Sequence, residues 1–303
     1  MINTLDNKAL KVAFDYARSQ TMLYSKSFYL SSSLLPKQKK WDTWALYGFC
    51  RYVDNIVDNP RNRTRQELEQ EVSALEKELE IAYQRGESEH PVVKSFIHVA
   101  IKYNIPIEYP LDLLKGVLMD VDQNRYETFQ DLYTFCYRVA GVVGLMMTHI
   151  LGYTSNHALC YAEQLGIAMQ LTNILRDIQE DANMNRIYLP QEELRQFGLT
   201  EEDIFKERMT DNMRKFIQFQ VDRAHSYYDS ANKGVRLLTG PTQFSIYSAS
   251  RIYRGILTKI EDRNYNPFLG RVFVKQSKKL SILFKELMKT RLLTPTMNYI
   301  SSL

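Results

Sequence analysis

Helical periodicity runs along almost the whole of this 303-residue sequence, and few residues interrupt it. The chain contains only 12 glycines and 9 prolines, too few for the many turns that a β-sandwich or a long series of βα units would need. We find neither a convincing alternating strand nor an internal repeat. The pattern predicts an all-α fold, and because no Gly/Ser-rich linker divides the chain, we expect a single helical domain over residues 1–303.

Hydroxyl residues followed three positions later by a carboxylate mark several helix starts, because the two side chains cap each other's backbone amides. Such pairs are Thr64 with Glu67, Thr128 with Asp131, and Thr200 with Asp203. With the periodicity and the prolines, they predict helices at residues 8–24, 38–58, 64–85, 91–103, 110–125, 129–151, 157–183, 201–231, 242–263 and 271–292. The longest irregular segment is expected at residues 183–198.

The composition excludes several classes of protein. Hydrophobic residues make up 45% and charged residues 24% of the chain, which is ordinary for a globular protein and excludes disorder. A net charge of +4, from 39 basic and 35 acidic residues, is too small to indicate nucleic-acid binding. The three cysteines lack metal-site spacing, and charges interrupt the N-terminal region, so no signal peptide is expected. These features predict a cytoplasmic protein.

The longest uncharged stretch lies between Arg138 and Glu163. Polar residues and three glycines interrupt it, so it lacks the roughly 20 consecutive apolar residues that a membrane-spanning helix requires. We expect a buried core helix here.

Two aspartates, Asp54 and Asp58, lie four residues apart in the mostly apolar segment WALYGFCRYVDNIVD. In a helix they share one face, with their side chains about 6 Å apart along the axis. That separation suits divalent cations bound beside a phosphate, and Arg51 lies on the same face one turn earlier. A solvated helix end with an ordinary ion pair is the alternative, and this pair alone does not exclude it.

A second polar stripe lies in the segment GIAMQLTNILRDIQED. Asn173, Asp177 and Asp181 follow one another at intervals of four, so they line up along a helix whose other positions are largely apolar. Burying carboxylates without partners is costly, so a bound cation or a paired arginine must offset the loss of hydration. The alternative is a salt-bridged amphipathic helix.

Two acidic stripes on separate helices favour a metal site, because facing stripes in a bundle core are how helical folds build multi-metal centres. Mg²⁺ is the expected ion, with Mn²⁺ as a substitute, since the candidate ligands are oxygens rather than clustered His and Cys. Mg²⁺ commonly completes its shell with phosphate oxygens, so we expect a substrate with a diphosphate group. Cations available to neutralise that group are Lys26, Arg51, Arg176, Arg186 and Arg271.

Six motifs in order along the chain carry a resemblance to a known family. They are SKSFYLSSSLLP (25–36), ALYGFCRYVDNIVD (45–58), YTFCYRVAGVVGLMM (133–147), QLTNILRDIQED (170–181), NRIYLP (185–190) and RIYRGIL (251–257). In these motifs the sequence resembles the squalene and phytoene synthases over most of its length. The resemblance implies an all-α isoprenoid-synthase bundle with a central active-site cavity. It also implies a Mg²⁺-dependent head-to-head condensation of two prenyl diphosphates.

The resemblance also implies roles for individual residues. Asp54 and Asp58 correspond to the first metal-binding motif, and Asn173, Asp177 and Asp181 to the second. Catalytic roles are implied for Asp54, Asp58, Tyr137, Gln170, Asp177 and Asp181. Substrate contacts are implied for Ser25, Lys26, Ser27, Phe28, Arg51, Tyr137, Ala140, Gly144, Gln170, Asn173, Arg176, Arg186, Tyr188, Tyr253 and Arg271. One departure is Asn55, where many relatives carry a further aspartate; it lowers the local negative charge and leaves the outer pair in place.

The resemblance favours the branch of the family that forms phytoene without a reductive step, so no NADPH is expected. In that branch a cyclopropylcarbinyl diphosphate forms first, and a second ionisation, rearrangement and proton loss follow. We expect geranylgeranyl diphosphate as substrate, because the small Ser31, Ser32 and Ser33 leave room where a bulky aromatic residue would shorten the cavity. Dehydrosqualene or squalene synthesis from farnesyl diphosphate is the alternative. Outside the family, a terpene cyclase or a non-catalytic helical scaffold would be the rivals.

The segment 271–293 carries seven basic residues and one acid among apolar residues. That composition suits contact with an anionic bilayer, although a solvated helix face has the same pattern. A hydrocarbon product of thirty or forty carbons must leave into lipid. We therefore expect peripheral contact with the inner membrane surface rather than a spanning segment.

Overall fold

The structure is a computed structural model that describes residues 8–58 and 63–283. The described residues are mostly helical, and they contain no β-strand, only two isolated β-bridges. The α-helices are α1 (Lys8–Tyr24), α2 (Lys26–Ser32), α3 (Lys37–Asp58), α4 (Arg65–Arg85), α5 (Val93–Lys102), α6 (Glu108–Asp122), α7 (Phe129–Cys136), α8 (Val142–Leu151), α9 (His157–Asn183), α10 (Gln191–Gln196), α11 (Glu201–Phe205), α12 (Asp211–Gly234) and α13 (Gly240–Glu261). A π-helical turn, Tyr137–Gly141, joins α7 to α8, and a 3-10 turn, Val235–Leu237, follows α12. The prediction of an all-α fold is confirmed.

The three predicted capping pairs are present at the starts of α4, α7 and α11. At α4, the amide of Glu67 donates a hydrogen bond to Thr64 Oγ1 at 3.3 Å, and the amide of Thr64 donates one to the Glu67 carboxylate at 2.7 Å. Helices α1 and α9 have the bounds that the sequence predicted.

The prediction of one helix over residues 201–231 is wrong. Helix α11 ends at Phe205, and α12 begins only at Asp211. Between them Glu207 adopts a left-handed conformation with φ of 52°, which a continuous helix cannot contain. Thr210 then caps α12, because its hydroxyl oxygen accepts a hydrogen bond from the amide of Met213 at 3.1 Å.

The predicted helix over residues 271–292 begins later than expected. Val272 and Val274 are buried while Arg271 and Phe273 are exposed, an alternation typical of an extended segment. Helical structure begins at residue 276, and residues 284–303 lie outside the described chain. The sequence patterns also gave no indication of the short helices α2 and α10.

Buried apolar side chains form two large clusters with a cavity between them. The first cluster includes α1, α3, α4, α5, α6 and α8, and within it the rings of Phe49 and Phe96 stack at 4.1 Å between centroids. The second is centred on α9, which packs along α12 and against α7 and α13. Residues of α2, α3, α8, α9 and α13 line the cavity. The two clusters thus hold the helices that carry both acidic stripes.

Helices α8 and α9 approach so closely that two glycines have no room for a side chain. A Cβ atom at Gly144 would lie 2.4 Å from the carbonyl oxygen of Ala162, and one at Gly166 would lie 2.3 Å from that of Ala140. Ala140 belongs to the π-helical turn, a kind of irregularity that recurs at functional sites. All four residues line the cavity, so this contact shapes its wall.

One continuous stretch, Phe129–Leu151, is long and apolar enough to cross a membrane by length and composition. Within its most hydropathic window 56% of the residues are buried inside the protein. Helices α3, α6 and α9 pack against it, as expected of a core helix.

We predict that Gly166→Ala lowers the free energy of unfolding by about 1 to 3 kcal/mol, because the added methyl group overpacks the contact with Ala140. Gly240→Ala is the matched control, since a Cβ atom there meets no atom within 4 Å. Urea unfolding of the three proteins measures the difference. Equal stability of the two variants would show that α9 is not tightly packed against the π-helical turn at Ala140.

Candidate active site

Helix α3 carries the first acidic stripe to one end of the cavity. Tyr47 and Asp54 line the cavity, and Arg51 lies between them on the same helix face. The guanidinium carbon of Arg51 lies 4.5 Å from the ring centroid of Tyr24 at the end of α1, a cation–π contact that orients it. Asp58 is the last residue of α3, and its side chain lies outside the described part of the structure.

Helix α9 carries the second stripe, and Asn173 brings it to the same cavity as Asp54. The Asn173 side-chain amide donates a hydrogen bond to Gln170 Oε1 at 3.2 Å. Its carbonyl oxygen, Oδ1, is buried and has no hydrogen-bond partner among the described residues. A buried acceptor of this kind is costly unless a ligand satisfies it.

Two guanidinium groups bracket Asp177, the middle residue of the stripe. Arg176 donates to both carboxylate oxygens, from Nε at 2.8 Å and from Nη2 at 2.5 Å. Arg271 approaches from the segment after α13, with Nε 3.2 Å from Oδ1 of Asp177 and Nη1 3.1 Å from Oε2 of Glu180. The negative charge of Asp177 is therefore compensated by protein cations.

Asp181, one turn further along α9, is less well compensated. Burial raises its pKa to about 7, and the negative charge of Asp177 adds to the shift. The nearby Arg186 opposes it, while Asp120 and Glu180 reinforce it. A carboxylate in this environment gains stability from a bound cation.

The donor set of the two stripes fits a hard divalent cation. Asp54, Asn173, Asp177 and Asp181 offer carboxylate and amide oxygens, one of them the orphaned Oδ1 of Asn173. The described residues contain no group of three or more His, Cys, Asp or Glu side chains that could enclose a metal by themselves. This arrangement suits Mg²⁺, which takes one or two carboxylates from the protein and further oxygens from phosphate or water.

Side chains with aromatic rings and hydroxyl groups lie near the stripes at the same end of the cavity. Ser25, Phe28, Tyr47 and Tyr253 line it, and the rings of Phe28 and Tyr47 stack at 5.2 Å between centroids. Burial raises the pKa of Tyr47 to about 12, and a hydrogen bond with Ser25 opposes the shift. Lys26 is exposed at the start of α2, and the side chain of Ser27 is outside the described structure.

The whole cavity has a volume of about 320 Å³, and away from its charged end the lining is mostly apolar. Val143, Gly144 and Met147 of α8 form one wall, and Leu165 and Met169 of α9 form another. Three residues of a small apolar cluster also line it, namely Leu151, Val235 and Leu238. An apolar cavity with one charged end suits a ligand that has a long hydrocarbon tail and a diphosphate group.

Eight of the predicted residues line the cavity, namely Ser25, Phe28, Asp54, Ala140, Gly144, Gln170, Asn173 and Tyr253. Asp181, Arg186 and Tyr188 instead line a second, small pocket. Tyr137 is not among the residues that line the cavity: its ring packs beside Gly141 on its own π-helical turn. Tyr188 is also outside the lining, and its hydroxyl donates a hydrogen bond to Asp120 at 2.5 Å. The predicted position of Tyr137 near the reacting carbons stays a prediction.

Sequence reasoning missed two residues of the site. Tyr47 could have been found, because Tyr47, Arg51 and Asp54 are spaced as one helix face. Asp120 accepts a hydrogen bond from Arg186 Nη1 at 3.2 Å. No sequence pattern around Asp120 marks it as a site residue, because Asp120 reaches the site only through the packing of α6 beside residues 185–188.

Comparison with known proteins agrees with this geometry. A family model described as squalene/phytoene synthase matches residues 21–278. The chain belongs to the squalene/phytoene synthase family. It is 40% identical over 287 residues to the 15-cis-phytoene synthase of Synechococcus elongatus, covering 91% of this chain and 92% of that protein. It is 35% identical to the 15-cis-phytoene synthase of Synechocystis sp., covering 91% and 84% of the two chains.

A solved structure supports the same family. A dehydrosqualene synthase in complex with a ligand has a TM-score of 0.86 and 30% sequence identity, covering 94% of this chain and 99% of that one. Squalene/phytoene synthases are prenyltransferase-type enzymes that use a divalent metal to ionise prenyl diphosphates. The two oxygen-rich stripes at one end of the cavity fit that chemistry.

We predict that Asp181 makes the metal-free enzyme less stable as pH rises from about 4 to about 7. Its pKa is about 7 in the folded protein and near 4 in the unfolded chain, so the folded state binds the proton more tightly and loses this advantage on deprotonation. Asp181→Asn is expected to raise the free energy of unfolding by about 2 kcal/mol at pH 8 in EDTA, and to change it little at pH 4.

Thermal unfolding of wild type and variant at both pH values measures this difference. Asp222→Asn, an exposed aspartate on α12, is the control and should leave the pH profile unchanged. A pH profile for Asp181→Asn that matches wild type would contradict the assigned environment of this carboxyl group.

Proposed function

We propose that this chain is a phytoene synthase that condenses two molecules of geranylgeranyl diphosphate head to head and releases pyrophosphate. The observation that carries the proposal is that Asp54 of one acidic stripe and Asn173 of the other line the same apolar cavity. Relatives named 15-cis-phytoene synthase, at 35% and 40% identity over most of the chain, support the choice of product.

Basic side chains at the charged end bind the diphosphate groups in this proposal. Arg176 and Arg271 lie beside Asp177, and Arg51 lies one turn before Asp54. Guanidinium groups stay protonated at any working pH, and their forked donors match phosphate oxygens. They therefore stabilise the negative charge that develops on a departing pyrophosphate.

The acidic stripes would hold Mg²⁺ beside these cations. The proposed ligands are Asp54, Asp58, Asn173, Asp177 and Asp181. When bound, Mg²⁺ supplies Lewis-acid stabilisation of the diphosphate oxygens.

The apolar wall of the cavity orients the two prenyl tails and excludes water. The first substrate loses its pyrophosphate, and the allylic cation so formed is attacked by a double bond of the second substrate rather than by water. Loss of one proton to the released pyrophosphate closes the ring of a cyclopropylcarbinyl diphosphate. Loss of the second pyrophosphate, rearrangement and loss of a second proton complete the central triene of phytoene. The stacked rings of Phe28 and Tyr47 supply π-electron density beside the cation.

Farnesyl diphosphate, giving dehydrosqualene, is the second candidate substrate, because a solved structural neighbour is named a dehydrosqualene synthase. Among the three small serines of α2 and its C-terminal end, Ser31 lines the cavity. Ser32 instead accepts a hydrogen bond from Trp44 Nε1 at 2.9 Å, and Ser33 donates one to the carbonyl of Tyr29 at 2.6 Å. The small side chain of Ser31 leaves space for the longer tail and favours the twenty-carbon substrate.

The direct test is to incubate the purified protein with Mg²⁺ and either geranylgeranyl or farnesyl diphosphate, without NADPH, and to identify the extracted hydrocarbon by mass spectrometry. We expect phytoene from the longer substrate. A thirty-carbon triene alone would change the assignment to dehydrosqualene synthase. A requirement for NADPH would contradict the non-reductive branch.

Asp177→Ala is expected to lower kcat by at least a factor of about 1,000 while the helical circular dichroism spectrum is unchanged, because the loss removes a proposed metal ligand at the diphosphate. Asp222→Asn on the exposed face of α12 serves as the activity control. Full turnover in Asp177→Ala would overturn the proposed role of the second stripe.

We propose further that the protein is cytoplasmic and binds peripherally to the inner membrane surface through a basic segment, residues 266–283. This segment contains Arg271 and three lysines and no acidic residue. Phe273 is 72% exposed, and Leu269 and Leu280 are also exposed. The contact of Arg271 with Asp177 holds the segment beside the charged end of the cavity, so a hydrocarbon product would form close to the lipid.

Phe273→Ser is expected to weaken binding to vesicles of anionic lipid about fivefold, because one exposed aromatic ring no longer enters the interface. Phe205→Ser, at an exposed phenylalanine on α11, is the matched control and should bind like wild type. Sedimentation with anionic and with neutral vesicles measures the binding of each variant and shows how much of it depends on lipid charge. Equal binding by both variants would show that another surface meets the membrane.

A further inference from the structure

Asp120 lies near the C-terminal end of α6, outside both acidic stripes. Its side chain is only 13% exposed, and a buried carboxylate of this kind must be compensated. The compensation comes from two residues of one motif. Asp120 Oδ1 accepts a hydrogen bond from the Tyr188 hydroxyl at 2.5 Å, and Oδ2 accepts one from Arg186 Nη1 at 3.2 Å.

The position of Asp120 is fixed by its surroundings. The ring of Tyr188 stacks on Phe135 at 5.4 Å and on Tyr126 at 5.9 Å between centroids. Tyr126 and Phe135 also contact each other at 5.4 Å, so the three rings form one cluster. Packing in this cluster fixes the direction of the Tyr188 hydroxyl, so the carboxylate that accepts from it is held as well. Asp120 is therefore a rigid anchor for Arg186.

The backbone around Arg186 is pinned to the residues that follow α6. The amide of Ile187 donates to the carbonyl of Asn124 at 3.0 Å. Arg125 donates from Nη1 to the carbonyl of Asn185 at 2.7 Å, and from Nε to Glu201 at 2.7 Å. Asn185 has a left-handed φ of 58°, which turns the chain immediately before Arg186.

Arg186 lies beside Asp181: its amide donates a hydrogen bond to the carbonyl of Asp181 at 2.9 Å, and both residues line one small pocket. At Asp177, by contrast, two guanidinium groups already contact both carboxylate oxygens. A cation–diphosphate complex needs the oxygens of Asp181 accessible and a guanidinium close by. An anchor that holds Arg186 beside Asp181 without pairing the two provides both.

We propose that Asp120 is a positioning residue that holds Arg186 toward the diphosphate and away from the carboxylate of Asp181. Without Asp120, Arg186 would pair with Asp181 and compete with the cation there. The inference rests on the proposed function, because it assumes that a diphosphate and a divalent cation bind between the stripes.

The test measures binding of inorganic pyrophosphate in the presence of Mg²⁺ by isothermal titration calorimetry, which needs no turnover. Asp120→Asn keeps the size of the side chain and removes its charge, and it should weaken binding about tenfold. Asp122→Asn on the same helix is the matched control, since Asp122 pairs with the exposed Arg65. Wild-type affinity in Asp120→Asn would overturn the inference.

A double-variant cycle separates positioning from general damage to the fold. If Asp120 acts through Arg186, then Asp120→Asn combined with Arg186→Gln should bind pyrophosphate no more weakly than Arg186→Gln alone. Losses that simply multiply would contradict the inference. Should Asp120→Asn fail to fold, Tyr188→Phe removes one of the two anchoring partners and is expected to weaken binding about threefold.

Kinetics distinguish the inference from the proposed function. In an active wild-type enzyme, Asp120→Asn should raise KM for the prenyl diphosphate about tenfold and change kcat less than about threefold. An active wild type with an unchanged KM in the variant would overturn the inference and leave the proposed function in place. The converse result is a wild type that binds Mg²⁺ and pyrophosphate but makes neither phytoene nor dehydrosqualene. If Asp120→Asn weakens that binding, the inference would stand and the proposed function would be overturned.

Discussion

Negative charge buried along α9 determines how the charged end of the active site is built. Carboxylates in a bundle core lose hydration and repel one another. The charge compensation differs from one position of the stripe to the next. Arg176 and Arg271 neutralise Asp177, whereas Asp181 keeps a pKa of about 7 because burial and Asp177 outweigh Arg186. With the unsatisfied oxygen of Asn173, this leaves a stripe that is prepared for a cation.

The apolar half of the site depends on the close approach of α8 and α9. Gly144 and Gly166 allow the two backbones to meet where any larger residue would clash with a carbonyl oxygen. The π-helical turn before α8 presents Ala140 at this contact. Helices α8 and α9 form the apolar wall of the cavity, and α9 also carries the polar stripe. The small residues at their contact therefore fix the position of the apolar wall relative to the charged end.

Local patterns in the sequence predicted what local physics controls. The capping pairs and the bounds of α1 and α9 follow from hydrogen bonding and helical spacing. The meeting of Asp54 and Asn173 at one cavity is a contact between distant segments, and we expected it from the two acidic stripes and the family resemblance. The sequence did not reveal the break at Glu207, whose left-handed conformation depends on local packing. Nor did it reveal Asp120, because its role depends on α6 meeting residues 185–188, a contact between segments distant in sequence. The role of Tyr137 was assigned by resemblance alone, and it stays a prediction.

We propose that the acidic stripes of α3 and α9 together bind a divalent cation at the charged end of one cavity. The most direct measurement is anomalous X-ray diffraction from crystals grown with Mn²⁺ and an unreactive thiodiphosphate analogue of the substrate. We expect manganese peaks within bonding distance of Asp54 on one side and of Asn173, Asp177 or Asp181 on the other, with the analogue's tail among the apolar side chains of the cavity. Manganese bound only outside these residues, or an analogue bound away from the cavity, would contradict it.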